Sequence, residues 1–134
     1  MIFLDSSLLV AYAVSGDSNH VNAVRVVDRI VSGEFGKAVT SDYVFDETVT
    51  VILARTKSVQ KASETGKLIM ESLELWRVDQ STFDYAWQIF RNQKTTRFSF
   101  TDCTIISQLE MNGIDNLGTF DREFEKTGIP SVIY

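Results

Sequence analysis

Residues 37–56 read KAVTSDYVFDETVTVILART, and the parsing of this stretch decides the fold. Residues 37–41 form a short run with β-branched members, as in a strand, and from residue 42 to about 56 the apolar positions recur at helical spacing. No Gly or Pro separates the two, so a strand passes directly into a helix. A helical wheel centres the apolar face near Phe45, Val49 and Ile52, with Asp46 and Glu47 flanking it. Periodicity does not choose between those two acids.

The same alternation continues on both sides. Residues 1–5, MIFLD, form a short apolar strand ending in an acid, and Ser6 or Ser7 can cap a helix to about residue 15. Asp17 and Ser18 introduce a second helix, stopped by Gly33. Beyond the central stretch, a helix over about 58–71 leads to a strand at 73–78. Ser81 then caps a helix carrying Phe83, Ala86, Trp87 and Phe90. A helix over 101–112 ends at Gly113, and a strand at 116–120, one or two turns at 121–126 and a strand at 131–134 complete the chain. Such alternation specifies an α/β fold with a parallel sheet flanked by helices. The aromatic and Met residues on the helices are assigned to the core.

Composition narrows the function. At 134 residues the chain is expected to be one domain, residues 1–134, able to bury roughly two-thirds of its unfolded surface. One cysteine, Cys103, excludes a disulfide framework and suits a reducing cytoplasm, where it is expected to be a buried small hydrophobe. A single histidine, His20, excludes a zinc site built from His and Cys, and is expected to pack or cap. The N-terminus lacks a basic n-region, and the run from Leu8 to Val14 is too short to span a membrane, so neither a targeting segment nor a membrane span is expected. A net charge of −5 opposes whole-molecule attraction to nucleic acid.

Functional groups of a parallel sheet gather at the carboxyl ends of its strands. Asp5 ends the first strand, Asp121 follows the fourth, and Asp102 opens the helix leading into the fourth, in RFSFTDCTII (97–106). Taken singly, each acid has an ordinary use as a turn former or a helix cap, and Ser99-Phe-Thr-Asp102 fits a capping box. Together they pose an electrostatic problem. Two unit charges ~4 Å apart at an effective dielectric of ~20 repel by roughly 4 kcal/mol. Acids converging in a crevice without a basic neighbour call for a hard divalent cation, Mg²⁺ or Mn²⁺. On that reasoning, Asp5→Asn should leave the metal-free protein at least as stable as before.

The ordered set Asp5-Ser-Ser, Asp42-Tyr-Val-Phe-Asp-Glu47-Thr, Ser99-Phe-Thr-Asp102 and Thr119-Phe-Asp121-Arg-Glu-Phe124 resembles the PIN domain, a metal-dependent ribonuclease fold. It looks most like the small VapC-type toxins, and the resemblance spans essentially the whole chain, His20-x-x-Ala23 included. It implies a three-layer sandwich with strand order 3-2-1-4-5, which makes Asp5 and Asp121 neighbours. It implies catalytic, metal-holding roles for Asp5, Glu47, Asp102 and Asp121, choosing Glu47 over Asp46 by its position before TVTVILAR. Thr119 and Ser6 become hydroxyl supports. The implied reaction is Mg²⁺- or Mn²⁺-dependent hydrolysis of RNA phosphodiesters, in a cytoplasmic homodimer with a possible small antitoxin partner. Apolar positions such as Val51, Ile69 and Trp76 supply a sequence motive for self-association.

Arg91, Lys94 and Arg97, beside Phe98 and Phe100, together with Arg122, are the candidate RNA rim, since basic groups contact phosphates and aromatics stack bases. Two alternatives stand beside the nuclease. An aspartyl-phosphate phosphatase would resemble D-x-D after the first strand, where this chain has Asp5-Ser6-Ser7. A non-catalytic PIN-type binding or scaffold protein would be marked by loss of one of the four acids, and none is lost.

Overall fold

A computed structural model describes residues 1–134. Its strands are β1 (Ile2–Leu4), β2 (Ala38–Ser41), β3 (Glu74–Trp76), β4 (Asn116–Gly118) and β5 (Ser131–Ile133). Its helices are α1 (Ser6–Ala13), α2 (His20–Val31), α3 (Asp42–Thr56), α4 (Val59–Ser72), α5 (Gln80–Arg91) and α6 (Phe100–Asn112), with a 3₁₀ segment at Arg122–Lys126. The strands pair in parallel in the order β3-β2-β1-β4-β5. The sequence reading of an α/β sandwich with this order therefore holds. No helix is long and apolar enough to cross a membrane.

Connection length explains the layering. Parallel strands need crossover connections, and right-handed crossovers put helices on both faces of the sheet. α1 packs on α2 and α3, and α3 on α4, while α5 lies along α6. Between these layers the strands are nearly continuous apolar runs, with Ile2, Phe3, Val39 and Leu117 fully buried. Ser41 ends β2 and at once caps α3, its Oγ accepting the Val44 N–H at 3.2 Å. That is why the 37–56 stretch needs no turn residues.

The first and fourth strands are drawn together at their carboxyl ends. The Asp5 N–H donates to the Gly118 carbonyl at 3.0 Å. At Gly118 a Cβ would stand 2.8 Å from Leu8 Cδ2 and 3.1 Å from Leu4 Cδ2, so only glycine lets β4 approach β1 and α1 this closely.

Four expectations are corrected. Asp79, not Ser81, caps α5, its carboxylate accepting the Thr82 N–H at 2.9 Å. The aromatics of α5 are not core: Phe83, Trp87 and Phe90 are 41%, 50% and 37% exposed. The reason is that α5 buries its small side, Thr82 and Ala86, against α6. Phe83 and Phe90 instead set ring edges against Phe100, and Trp87 stacks on Phe90. On α3 the buried stripe is Val44, Thr48 and Ile52, one residue round from the predicted centre. Ile69 is likewise buried, and Val51 and Trp76 half-buried, so those three are not surplus apolar surface.

Candidate active site

Asp5 is the fixed point of the carboxyl-end crevice. It is 3% exposed and sits at the N-cap of α1, where Oδ1 accepts the Ser6 N–H at 2.7 Å. Its Oδ2 accepts the hydroxyls of Ser7, at 2.8 Å, and Thr119, at 2.7 Å. A hydroxyl has one proton, so both are committed to Asp5. Their lone pairs accept backbone N–H groups in turn: Ser7 Oγ from Phe120 at 2.9 Å, Thr119 Oγ1 from Asp121 at 3.0 Å. The carboxylate at the end of β1 is thereby tied to the segment that follows β4.

Ser6 faces the other way. Its Oγ donates to Glu47 Oε2 at 2.6 Å, while standing 3.3 Å from Asp5 Oδ1. Glu47 is half-buried on α3, whereas Asp46 is exposed. The face of α3 turned toward Ser6 therefore carries Glu47.

Asp102 forms the capping box expected at the start of α6. Ser99 Oγ accepts the Asp102 N–H at 3.1 Å, and Asp102 Oδ2 accepts the Ser99 N–H at 2.9 Å. Burial, aided by the negative charges of Asp5 and Asp121 and against the pull of the Ser99 N–H, pushes its carboxyl up from an ordinary 3.8 to about 6. These charges locate Asp5, Asp102 and Asp121 around one crevice. Asp121 Oδ1 caps the 3₁₀ segment through the Glu123 N–H at 2.9 Å.

Two features bear on a divalent ion. None of the four acids is ion-paired with a Lys or Arg. Glu47 Oε1, Asp102 Oδ1 and Asp121 Oδ2 accept no hydrogen bond, so each has free lone pairs. As the side chains stand, no three His, Cys, Asp or Glu groups converge closely enough to hold a metal ion between them. Like charges without a counterion spread apart, and Mg²⁺ does not demand a closed cage. It keeps several waters and uses one or two carboxylates plus substrate oxygens. The donor chemistry fits a hard cation.

Of the candidate rim, Arg91, Lys94 and Arg97 are exposed at the end of α5 and in the loop to α6. Arg122 is turned away onto the Tyr134 ring, 4.3 Å from its centroid, and lies 3.5 Å from Glu125. Cys103 is buried, and burial beside the Asp102 charge pushes its thiol up to about 11, which leaves it inert. His20 Nδ1 is 2.8 Å from the Ala11 carbonyl, a structural link between α2 and α1. Sequence reasoning treated Ser7 only as a possible cap and missed its hydroxyl; the signal was a second hydroxyl directly after the strand-end acid.

The model for the PIN domain family matches residues 2–130. The 23S rRNA-specific endonuclease VapC20 from two strains of Mycobacterium tuberculosis is 25% identical over 132 residues, 98% of this chain and 98% of the relative. The crystal structure of Mycobacterium tuberculosis VapC20, described as a sarcin-ricin loop cleaving toxin, superposes with a TM-score of 0.85 at 25% identity, covering 96% of each chain. Two others agree in fold alone, each with TM-score 0.72 and 15% identity. VapBC2 from Rickettsia felis, bound to a promoter DNA fragment, covers 98% of this chain and 97% of its own. FitAcB from Neisseria gonorrhoeae covers 100% and 97%.

Proposed function

Since the chain belongs to the PIN domain family, we propose that it is a divalent-metal-dependent endoribonuclease of the VapC toxin type, with Asp5, Glu47, Asp102 and Asp121 as its catalytic acids. The observation that carries the reading is four acids at the carboxyl end of the sheet, Asp5 buried and Glu47 and Asp102 half-buried, none of which has a Lys or Arg partner. The phosphatase reading has no second acid beside Asp5 to stand on.

Mg²⁺ or Mn²⁺, held by these carboxylates, would supply Lewis-acid polarisation of the phosphodiester and a lowered pKa for the attacking water. The chain's own work is positioning. Ser7 and Thr119 fix both the place and the rotamer of Asp5. Ser6 holds Glu47 Oε2 and leaves Oε1 facing the crevice for ion or water. Asp102 keeps one oxygen on its helix cap and offers the other. Burial of Asp5 and partial burial of Glu47 and Asp102 strengthen the charge interactions among them.

Toxins of this fold pair with antitoxin proteins. An apolar groove of about 820 Å³ between α1, α2 and α4, lined by Leu9, Tyr12, Val27 and Leu68 among others, suits an amphipathic helix of such a partner.

The test is cleavage of RNA with Mg²⁺, Mn²⁺ or EDTA, by wild type, Glu47→Gln and Asp46→Asn. Cleavage that needs metal, is lost in Glu47→Gln and is kept in Asp46→Asn is expected. Metal-independent cleavage, or loss only in Asp46→Asn, overturns the assignment.

A further inference from the structure

Beside Glu47, along α3, lies a cleft of about 230 Å³ that Arg55 also lines. Glu47, Val51 and Arg55 are spaced i, i+4, i+8 and so lie on one stripe of the helix, all three lining this cleft with Ser6, Ser7 and Asp17. Arg55 is placed there by a specific partner. Its Nη1 donates to Asp17 Oδ2 at 2.6 Å, and the two heads differ sharply in exposure: 12% for the Asp17 side chain and 52% for that of Arg55. The other Asp17 oxygen accepts the Asn19 N–H at 2.8 Å, so the carboxylate is itself held by the turn entering α2. A guanidinium has five N–H donors, and Asp17 takes one. The Asp17 anchor is thus buried, while the half-exposed Arg55 head keeps its other donors free at the edge of the cleft it lines.

We propose that Arg55 is a phosphate-binding subsite for the RNA strand on the Glu47 side of the scissile bond, pre-set by Asp17. The inference rests on the nuclease reading of the four acids. A chain of net charge −5 needs a local cation where the strand leaves an acidic crevice. Eight residues of helix separate the Cα atoms of Glu47 and Arg55 by ~12 Å. At ~3.4 Å per stacked nucleotide, that places the subsite a few nucleotides from the cut. A planar fork also suits phosphate better than an ammonium would. Arg55 in the last turn of α3 does favour the helix dipole, but the dipole requires neither Asp17 nor an opening onto the cleft.

The test uses the full chain, Arg55→Gln and Arg55→Lys, with a short single-stranded RNA for kinetics and its 2′-O-methyl counterpart for binding over a range of salt in Mg²⁺. For Arg55→Gln, KM and Kd should rise about fivefold with kcat nearly unchanged. The slope of log K against log salt should shrink by about 0.7, one lost contact to a single strand. Arg55→Lys should restore the slope, and the Mn²⁺-induced rise in Tm should be the same in all three proteins. An Arg55 that only braces the α1–α2 turn would lower Tm and leave the salt slope alone. Cleavage with an unchanged slope removes the subsite and leaves the nuclease reading standing. Slope loss with a wild type that cleaves nothing keeps Arg55 as an RNA contact but overturns the nuclease, and with it the placement beside a scissile bond. A wild type that does not bind RNA overturns the subsite.

Discussion

Asp102→Asn is the perturbation whose outcome the structure specifies most fully. The fold holds the Asp102 proton to about pH 6, where the unfolded chain releases it near 3.8. A carboxyl whose folded pKa is raised contributes stability below the unfolded value and loses it as pH rises through the folded one. The window of loss is therefore pH 4 to 6. A shift of about two units corresponds to roughly 3 kcal/mol, and screening at this half-buried carboxyl reduces it to about 1.5 kcal/mol. Asn imitates the protonated acid and keeps an oxygen for the Ser99 N–H that Asp102 now accepts. In EDTA, Asp102→Asn should match wild type at pH 4 and exceed it by about 1.5 kcal/mol at pH 7.5. At ~2.1 cal/mol/K per residue, a chain of this length gains about 5 °C in Tm. Thermal melts by circular dichroism from pH 4 to 8 follow the difference directly. Mn²⁺ should stabilise wild type and not the variant, and its effect on wild type should fade below pH 6 as the proton competes. A Tm difference that is flat in pH, or a variant less stable at pH 7.5, refutes the account of Asp102.

Three further outcomes follow from the same geometry. Asp5→Asn should lower stability by about 2 kcal/mol in EDTA, because an amide has one acceptor oxygen, and if that oxygen takes the Ser7 and Thr119 hydroxyls the NH2 is left against the Ser6 N–H that Oδ1 now accepts; an unchanged urea midpoint would count against this. Gly118→Ala should cost about 1–3 kcal/mol by forcing Leu4 and Leu8 from a Cβ placed 2.8 Å from Leu8 Cδ2, and should weaken metal response by shifting β4 from Asp5; a neutral substitution in the same urea titration would refute it. If two copies meet through α5, Trp87→Ala should shift the light-scattering mass from dimer to monomer without changing the Tm of the monomer, and a monomeric wild type at micromolar concentration excludes that contact.

The Asp5 outcome reverses the expectation drawn from charge alone, and the reversal shows where sequence reading stops. Repulsion among acids is legible from strand-end positions, but the hydroxyls that quench it at Asp5 come from residues 2 and 114 positions away. Ser7 looked like a cap because a hydroxyl after a strand serves either use, and only the β1–β4 pairing brings Thr119 beside it. The strands, helices and their order were legible because the apolar period changes at each boundary. The phase of α3 was off by one residue because Thr48 is buried, its hydroxyl satisfied by the Val44 carbonyl at 2.7 Å, and so reads as polar when it packs as core. The α5 aromatics misled for the opposite reason: close packing of α5 on α6 selected its small residues.

The two hydroxyls on Asp5 also bear on timing. Thr119 reaches Asp5, and the amides of Phe120 and Asp121 reach Ser7 and Thr119, only once β4 has docked beside β1, a closure across more than a hundred residues. A chain synthesised only as far as α6 holds Asp5, Ser7, Glu47 and Asp102 but neither Thr119 nor Asp121. The full set of bonds around Asp5 therefore waits on the C-terminal part of the chain.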